Sequence, residues 1–260
     1  MISGERNQLT KLGGTAFERL PQAIGKSRLG SLGEAAAAVA WQFQTSIPEY
    51  RHGPDGAIIQ QQSAESLRQW AKAANAYISE KQLKKAIAKN QLIELPPGTE
   101  SEVFLGVEGK YVYKISNAGK NFYRADLANH WRNFFCRMIA HNAMFPSVPY
   151  YILGFTEKDD DLGVLLRQPA IEFQYGLNSD EVHTDLNRRG FFQDVAKKWS
   201  NSGSHEGHGI RVEDLHPGNV VWDLHTGLPV YIDPLITFQP DSVYKEEIVR
   251  WIRSRSSVVS

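Results

Sequence analysis

The sequence has one cysteine, Cys136, and no long apolar run among its 260 residues. A single cysteine excludes an intramolecular disulfide framework and a cysteine-rich zinc module. The longest apolar run, residues 35–41, is far shorter than the ~20 residues that a membrane-spanning helix needs. Residues 1–12 lack the apolar core of a secretory signal. We therefore expect a cytoplasmic protein that does not associate with membranes.

Charge of one sign is not in excess, because 29 Lys and Arg residues balance 29 Asp and Glu residues. This balance disfavours a strongly basic nucleic-acid binder, and we expect no nucleic-acid partner. A hydrophobic content of 42% with 11% aromatic residues excludes wholesale disorder. At about 100–200 residues per domain, the 260 residues allow one large domain or two small ones.

Residues 1–62 are expected to form an N-terminal extension that is partly helical or mobile. Residues 1–32 show no sustained hydrophobic period, whereas residues 34–43 are rich in alanine and predict a helix. Pro54-Asp55-Gly56 predicts a turn, because these residue types favour turn conformations.

Residues 63–97 are predicted to form two leading helices. Apolar residues recur at helical spacing as far as Tyr77, and Ser63 is a plausible N-cap for that helix. Ser79 and Gln82 have the spacing of a capping box, which opens the second helix.

The hydrophobic period then changes. Residues 102–116 predict two strands around a Glu-Gly turn, and residues 150–155 and 163–168 predict a second strand pair. Between the two pairs, residues 122–140 have one apolar stripe at helical spacing. A polar helix is predicted over 178–199, followed by a loop rich in Gly and Ser over 201–209.

Residues 211–235 contain the most residues that could take part in catalysis or metal binding. Asp214 and Asn219 are five residues apart, and Asp233 follows a predicted hairpin whose ends should bring Asn219 and Asp233 close together. Phosphoryl transfer needs one carboxylate to orient the attacking hydroxyl, and an amide and a carboxylate to hold Mg²⁺ on ATP. We therefore predict Asp214 as catalytic, and Asn219 and Asp233 as metal ligands. The alternative is a solvated hairpin, because Asp, Asn, Pro and Gly are common turn residues.

A loop of small and polar residues precedes a strand lysine upstream. The backbone amides of such a loop can cradle phosphates. Lys114 follows on a strand, and Val112 lies on the same face because side chains alternate along a strand. The alternative is a solvated lysine on an edge strand. The predicted loop residues are Gly98, Thr99, Glu100 and Ser101.

These two segments resemble kinase motifs. Asp-x-x-x-x-Asn, a hairpin and Asp is the catalytic layout of protein kinases, and the form DLHPGN is similar to aminoglycoside and choline phosphotransferases. The upstream loop, strand and strand lysine resemble the pattern of RIO-type kinases. From about residue 63 to residue 238, the chain resembles the polyvalent protein kinase family of phages and mobile elements. The matching pieces are LRQWAKAANAYIS, GTESEVF, VYKIS, HNAMFPSVPYYILGF, RQPAI and DLHPGNVVWDLHTGLPVYIDP.

The family resemblance implies an α+β fold of the protein-kinase type, with two lobes and an N-terminal helical extension. Residues 98–168 would form an N-lobe with a small antiparallel sheet, and residues 169–260 a reduced, mainly helical C-lobe. Within the kinase-like domain, 63–260, residues 63–97 would supply the leading helices.

The same resemblance implies an ATP site in the cleft between the lobes. Lys114 would pair with the α- and β-phosphates and act in catalysis. Val112 would lie beneath the adenine. Backbone groups of the segment between the lobes would meet the adenine edge, and the candidate residues there are Gln168, Ala170 and Ile171.

The chain also departs from the kinase pattern. Kinases pair the strand lysine with a glutamate on the next helix, but no glutamate occurs between Glu108 and Glu157. Asp126 is the acid of the predicted helix, and its side chain is shorter. Asp233 is followed by Pro234-Leu235 in place of Phe-Gly. These departures count more against a protein kinase of the usual kind than against an ATP-binding phosphotransferase.

Three weaker signals favour structural interpretations. The segment His205-Glu206-Gly207-His208 has the wrong spacing for a zinc-binding helix. We expect His216 to be a structural hydrogen-bonding residue whose side chain does not reach the same nucleophile as Asp214. Cys136 is expected to be a packed thiol.

The leading hypothesis is an ATP- and Mg²⁺-dependent kinase that phosphorylates Ser, Thr or Tyr hydroxyls of proteins. One alternative is a small-molecule kinase of the aminoglycoside type. Another is a pseudokinase module that binds a nucleotide or a partner. The expected partners are a nucleotide and an unknown protein or small-molecule acceptor.

Overall fold

The computed structural model describes residues 30–43, 54–96, 101–116, 130–158, 161–193, 204–207, 209–239 and 242–256. The helices in these residues are α1 (Ser31–Phe43), α2 (Pro54–Ala73), α3 (Glu80–Lys89), α4 (His130–Met144), α5 (Ser179–Arg188) and α6 (Val243–Ser256). The strands are β1 (Ile93–Glu94), β2 (Ser101–Leu105), β3 (Tyr111–Ser116), β4 (Tyr151–Lys158), β5 (Asp161–Pro169), β6 (Phe173–Gly176), β7 (Phe192–Gln193), β8 (His205–Gly207), β9 (Ile210–Glu213), β10 (Val220–Asp223), β11 (Pro229–Tyr231) and β12 (Leu235–Phe238).

Helices and antiparallel sheets are both present, so the predicted α+β class is confirmed. The described residues divide into two compact units. The lysine unit contains those of 30–142, 147–171 and 249–256, and it holds Lys114. The loop unit contains those of 143–146 and 172–248, and it holds Asp214. The predicted domain boundaries themselves stay predictions.

The lysine unit contains a five-stranded antiparallel sheet in the order β1-β2-β3-β5-β4. Both strand pairs predicted from the sequence are present, as the hairpins β2–β3 and β4–β5. Gly109 at the first turn has φ of 66°, a conformation that glycine adopts at little cost. The sheet places β3 between β2 and β5, so β3 has a neighbour on each side.

Helix α3 covers one face of this sheet. Leu83 and Ile87 of the helix pack on a buried cluster of one side chain each from β2, β3 and β5, which are Phe104, Ile115 and Leu165. The predicted capping box is confirmed, because the Ser79 hydroxyl accepts from the Gln82 N–H and the Gln82 side chain accepts from the Ser79 N–H.

An aromatic cluster forms the remaining core of the lysine unit. Trp131, Phe134 and Phe135 of α4 are buried, and the Trp131 ring lies 5.8 Å from that of Phe134 and 6.2 Å from that of Phe135. Phe155 of β4 is fully buried beside Trp131 at 6.4 Å. The predicted packed thiol is also confirmed, since Cys136 is buried on the same helix.

Two predictions about the leading helices are wrong. Ser63 is not an N-cap, because it is buried inside α2, which begins at Pro54. The predicted turn at Pro54-Asp55-Gly56 is instead the first turn of that helix. Proline fits this position because the first N–H groups of a helix have no intrahelical partner. The helix ends at Ala73, and Tyr77 beyond it forms a bridge with Phe155.

Other helix boundaries also differ from the sequence prediction. Helix α4 extends to Met144, while residues 122–129 lie outside the described residues. Helix α5 ends at Arg188, and Gly190 with φ of 87° follows it, so the predicted helix to residue 199 is too long. The predicted loop over 201–209 contains strand β8. No described helix is long and apolar enough to cross a membrane.

The loop unit is not mainly helical where the structure describes it. The described residues of 172–239 (172–193, 204–207 and 209–239) contain one helix, α5, and seven strands, in sheets of order β11-β10-β6 and β12-β9-β8-β7. The strand sequences are short and rich in Val, Ile and Tyr, which pack well on a pleated surface. Tertiary pairing of such short segments is hard to anticipate from local periodicity.

Tyr231 attaches the β10–β11 hairpin to helix α5. Its hydroxyl donates to the Asp185 carboxylate at 2.7 Å, and the Arg189 Nε–H donates to the same oxygen at 2.7 Å. The Tyr231 ring stacks on Phe145 with centroids 4.6 Å apart. Burial, together with the charge of Asp185, raises the pKa of Tyr231 far above its usual range. The hairpin therefore has a fixed position on the unit.

Replacing Phe155 tests the aromatic core. We expect Phe155→Ala to lower the free energy of unfolding by about 3–5 kcal/mol, because it leaves a cavity between α4 and β4. Leu153→Ala on the same strand is the matched control, since Leu153 is exposed and should cost well under 1 kcal/mol. Urea unfolding of both variants measures the difference, and equal losses would contradict this account of the core.

Candidate active site

Asp214 lies directly after β9 in a left-handed conformation, with φ of 58°. Few non-glycine residues adopt this region, and Asp is among those that tolerate it. The conformation turns the chain out of the strand and leaves the side chain exposed. The following residue, Leu215, is buried and anchors the loop from beneath.

Asn219 closes the loop that Asp214 opens. Its Nδ2 donates to the Asp214 carbonyl oxygen at 2.9 Å and to the carboxylate Oδ2 at 2.9 Å. The nitrogen end of the amide therefore faces Asp214, and the carbonyl end, Oδ1, points away from it. The two side chains are held in one fixed relation.

His216, whose side chain is exposed, makes three hydrogen bonds within the same loop. Its carbonyl accepts from the N–H groups of Asn219 at 2.8 Å and Val220 at 3.1 Å, and its Nδ1 accepts from the Gly218 N–H at 3.0 Å. The predicted structural role is thus confirmed. Its Nε2 also lies 3.8 Å from Asp214 Oδ1, so the two side chains lie close together, and the expectation that they do not serve one nucleophile stays a prediction. The left-handed turn at Asp214 brings them to one side.

Two strand pairings bring Asp233 to this loop. Val220 pairs with Tyr231 in the hairpin, and the Ile232 N–H donates to the Asn219 carbonyl at 2.8 Å. On the other side, Glu213 pairs with Leu235. Asp233 therefore lies between two segments that are each fixed beside the loop. The predicted proximity of Asn219 and Asp233 is confirmed.

Asp223 organises the hairpin turn. Its buried carboxylate accepts from the backbone N–H groups of His225 at 2.7 Å and Thr226 at 3.1 Å. Burial by itself raises the pKa of Asp223, but the N–H groups of Thr226 and His225 outweigh it and hold the pKa below its usual range. The charged form of Asp223 therefore stabilises the turn.

Strand β6 touches the loop through a glycine. A Cβ atom at Gly176 would lie 2.1 Å from the Pro217 carbonyl oxygen and 2.6 Å from its Cβ, so no larger residue fits without a backbone shift. Gly176 also pairs with Val221 of β10. The loop is thus packed against β6 as well as bonded to itself.

Lys114 is buried in the lysine unit, with 6% of its surface exposed. It lies on β3 between Val103 of β2 and Leu166 of β5, so it is not on an edge strand and the solvated alternative is wrong. Its Nζ donates to the Tyr150 hydroxyl at 3.4 Å and lies 5.2 Å from the centre of that ring. A buried ammonium group is costly unless anionic or polar groups face it.

Tyr150 is a site residue that the sequence analysis missed. Asn142 fixes it, because the Asn142 amide accepts from the Tyr150 N–H at 2.7 Å and donates to its carbonyl at 2.8 Å. The His141 ring lies 4.5 Å from the Tyr150 ring. The pair His141-Asn142 just before a proline-rich turn was the available signal. The bonding of the Asn142 side chain to the backbone of Tyr150, eight residues later, was not readable from spacing.

The helix that follows β3 along the chain supplies no acid in its described part. Residues 130–144 contain neither Asp nor Glu. Asp126, the predicted substitute for the usual glutamate, lies outside the described residues, as do Gly98, Thr99 and Glu100. Ser101, the last residue of the predicted phosphate loop, begins β2 and pairs with Ser116.

The predicted adenine contacts are partly corrected. Val112 shares the Lys114 face and pairs with Gln168, whose buried side chain donates to the Val148 carbonyl at 2.9 Å. The Ala170 N–H donates to the Lys110 carbonyl at 2.9 Å, so this group belongs to the β3–β5 ladder.

In an antiparallel ladder, successive residues point their backbone N–H and C=O groups to alternate edges of the strand. Because the Ala170 N–H bonds toward β3, the Pro169 carbonyl points to the opposite edge of β5. The predicted adenine contact of Ile171 stays a prediction. Strand β4 does not cover that edge, because its pairing begins at Tyr151 with Arg167. The register of β3 against β5, which fixes this direction, is not readable from sequence.

The donor set of the loop unit suits a hard divalent cation. Asn219 turns its amide oxygen away from Asp214, and Asp233 adds an exposed carboxylate, so both offer oxygen atoms of the kind that Mg²⁺ prefers. No cluster of three or more His, Cys, Asp or Glu side chains forms a separate metal site in the part of the chain that the structure describes.

A strand lysine, the Asp214–Asn219 loop, a hairpin and an aspartate follow one another in the order that kinase-like phosphotransferases have. The family profile described as serine/threonine/tyrosine kinase found in polyvalent proteins matches residues 60–240, most of the chain. The chain therefore belongs to this family, as the sequence resemblance predicted. Comparisons with curated proteins and with solved structures give no significant match.

The depressed pKa of Asp223 gives a pH test of the hairpin. A carboxylate whose pKa is lower in the folded than in the unfolded protein stabilises the fold above a pH of about 4. That contribution is lost as the pH falls through the folded pKa. We expect Asp223→Asn to lower the free energy of unfolding by about 1 kcal/mol near pH 7, and by less below about pH 4. Glu94→Gln, at an exposed position, is the control. A deficit for Asp223→Asn that does not change with pH would contradict this assignment.

Proposed function

We propose that this protein is an ATP- and Mg²⁺-dependent phosphotransferase that phosphorylates Ser, Thr or Tyr hydroxyls of proteins, with the two units acting as kinase lobes. The observation that carries the proposal is the loop in which Asn219 binds Asp214 twice and is joined to the Asp233 segment. The family description supports a hydroxyl of a protein as the acceptor.

Lys114 would bind the nucleotide phosphates. A cation that is 6% exposed has lost most of its hydration, so a phosphate oxygen would restore a strong charge-assisted hydrogen bond. Tyr150 orients the ammonium through its hydroxyl. The Pro169 carbonyl and the Ile171 N–H offer one acceptor and one donor for the adenine edge.

Asn219 and Asp233 would hold the metal through their oxygen atoms. When bound, Mg²⁺ neutralises charge on the transferred phosphoryl group and on the leaving group. The protein's part is to present both oxygens from backbone that is already fixed. Asn219 is oriented by Asp214, and the Asp233 segment is attached by the Ile232–Asn219 hydrogen bond.

Asp214 would orient the acceptor hydroxyl and accept its proton. Its Oδ2 is occupied by Asn219, so Oδ1 is the oxygen that remains for this hydroxyl. Oδ1 also has the His216 imidazole 3.8 Å away. Because the Gly218 N–H donates to His216 Nδ1, a neutral His216 carries its proton on Nε2, the atom that faces Asp214.

A nucleotide-binding module without catalysis is the second candidate. The absence of Asp and Glu from residues 130–144 favours it, because active kinases hold the strand lysine with an acid on this helix. Incubation with ATP labelled at the γ-phosphate and with a cell lysate separates the candidates. Label on proteins supports a protein kinase and label on metabolites a small-molecule kinase. Nucleotide binding without transfer supports the module.

Asp233→Ala tests the metal ligand. We expect this change to reduce Mg²⁺-dependent transfer at least about 100-fold, since a hard cation loses one of its two protein oxygens. The melting temperature should change little because Asp233 is exposed. Glu94→Ala, which removes an exposed acid from the lysine unit, should leave the rate unchanged. Undiminished transfer by Asp233→Ala would refute the assignment.

Asp214→Asn tests the catalytic carboxylate. Loss of a positioned base typically costs ~10²–10⁴ in rate. We expect kcat to fall by this amount while nucleotide affinity stays within about threefold, since Lys114, Asn219 and Asp233 remain. Single-turnover transfer and nucleotide titration on the same variant measure the two quantities, with Glu246→Gln as an exposed acid-to-amide control. A rate within threefold of the parent would exclude a catalytic Asp214. A matched loss of affinity would instead make Asp214 a binding residue.

A further inference from the structure

A cavity of about 550 Å³ lies between helix α3 and the five-stranded sheet of the lysine unit. Its volume is within the range of about 300–1,000 Å³ that is usual for ligand pockets. Most of its lining is apolar, and includes Ala86 of α3 and the tyrosines Tyr111 and Tyr113 of β3. Val107 and Leu153 also line it and are 58% and 40% exposed, so the cavity opens to solvent.

The cavity lies on the face of the sheet opposite to the Lys114 side chain. Side chains alternate along a strand, so Tyr113 and Ile115 point toward α3 and Lys114 points to the other face. Ile115 is in the buried cluster beneath α3, whereas the Lys114 Nζ contacts Tyr150. Lys114 therefore borders the cavity with its backbone. A ligand in the cavity would not take the place proposed for the nucleotide phosphates.

Arg167 of β5 lies beside this cavity. It pairs with Tyr113 of β3 and with Tyr151 of β4. Residues directly opposite each other in antiparallel strands have Cβ atoms about 4.5–5.5 Å apart. The Arg167 Cζ lies 4.6 Å from the centre of the Tyr111 ring and 5.2 Å from that of the Tyr151 ring. Since Tyr111 also lines the cavity, Arg167 is one side chain away from its interior.

Arg167 forms no ion pair among the residues that the structure describes. Its side chain is half-buried, and its Nε is buried without a hydrogen-bond partner. Arg68 in the same unit shows the contrasting arrangement, because it pairs with Glu65 and Glu157. Contacts with aromatic rings satisfy the charge of a guanidinium but none of its N–H groups. Carboxylate and phosphate groups fit these N–H groups through two parallel hydrogen bonds.

The charges at the cavity itself cancel. Glu108 and Lys110 line it, and the two side chains pair with each other at 3.1 Å. Arg167 therefore supplies an uncompensated positive charge next to an apolar cavity. A half-buried cation attracts an anion more strongly than a fully exposed one, because less water screens the charge.

We propose that the cavity and Arg167 together form a binding site for a small organic anion. An aromatic or aliphatic body fills the cavity, and a carboxylate or phosphate group binds the Arg167 guanidinium. Charge selects this class of ligand, because a cationic ligand is repelled and an uncharged one leaves the guanidinium without a partner. The proposal goes beyond phosphoryl transfer, since binding requires neither nucleotide nor reaction.

Fluorescence titration without nucleotide tests the site. The probe is anilinonaphthalene sulfonate, whose aromatic body carries an anion with oxygens arranged as in phosphate. The control compound is phenylnaphthylamine, which has the same aromatic body and no charge. We expect the probe to bind at one site per chain, at least about tenfold more tightly than the control compound, as one charge-assisted hydrogen-bonded pair provides.

Replacing Arg167 separates the charge from the cavity. Arg167→Gln should weaken the probe by about tenfold or more and leave the control compound within about twofold, because the cavity remains. Arg167→Lys keeps the charge without the planar fork, so its affinity for the probe should lie between those of Arg167→Gln and the parent. Arg188→Gln, at an exposed arginine of the loop unit, is the matched control and should bind both compounds as the parent does.

Filling the cavity provides the second comparison. Ala86→Trp places a large ring in the cavity and should weaken both compounds by about tenfold or more, since their aromatic body loses its place. Ala88→Trp adds the same ring at an exposed position of the same helix and should leave both affinities unchanged. The melting temperature of each variant shows that it is folded.

Four results would overturn the proposal. They are equal affinities of the parent for the two compounds, equal loss of both compounds in Arg167→Gln, equal effects of Ala86→Trp and Ala88→Trp, and a homodimer in sedimentation that Arg167→Gln dissociates. The last would make an acid of a second copy the partner of Arg167. Because binding is measured without nucleotide, a failure here leaves the proposed phosphoryl transfer standing, and an inactive enzyme leaves the binding result standing.

Discussion

The amide of Asn219 makes the interaction on which the candidate site depends. By donating to both the carbonyl and the carboxylate of Asp214, one nitrogen atom fixes where the loop starts, where it ends and how the carboxylate points. The left-handed backbone at Asp214 is maintained because this bond and the buried Leu215 act on either side of the residue. The hairpin that begins at Asn219 then determines the position of Asp233. A change of Asn219 would therefore disturb all three groups together.

The two units place their charged groups in opposite environments: the lysine is buried, and the two aspartates are exposed. The lysine unit holds the Lys114 cation out of water in the centre of a sheet, where opposite charges attract more strongly than in water. The loop unit leaves Asp214 and Asp233 exposed on loops and fixes their backbone. Strands suit the first task, since alternate side chains point into the interior. Loops suit the second, since they present several oxygens to the same region.

Much of the site could be predicted from sequence because its parts are local. The Asp214–Asn219 spacing, both hairpins of the five-stranded sheet and the capping box at Ser79 depend on residues close in the chain. The failures involve partners that are distant in sequence. Tyr150, which the Asn142 side chain fixes, contacts Lys114 36 residues away in sequence, and the Ala170 N–H donates to the distant Lys110 carbonyl. Helix α2 began earlier than expected because proline both breaks and starts helices.

The contact between Gly176 and Pro217 has a mechanical consequence. A single methyl group would not fit between them without a backbone shift, so β6 is closely packed against the loop. A force applied to β6 would be passed to residues 216–219 with little loss, because close-packed atoms resist compression. We therefore expect β6 and residues 216–219 to move together.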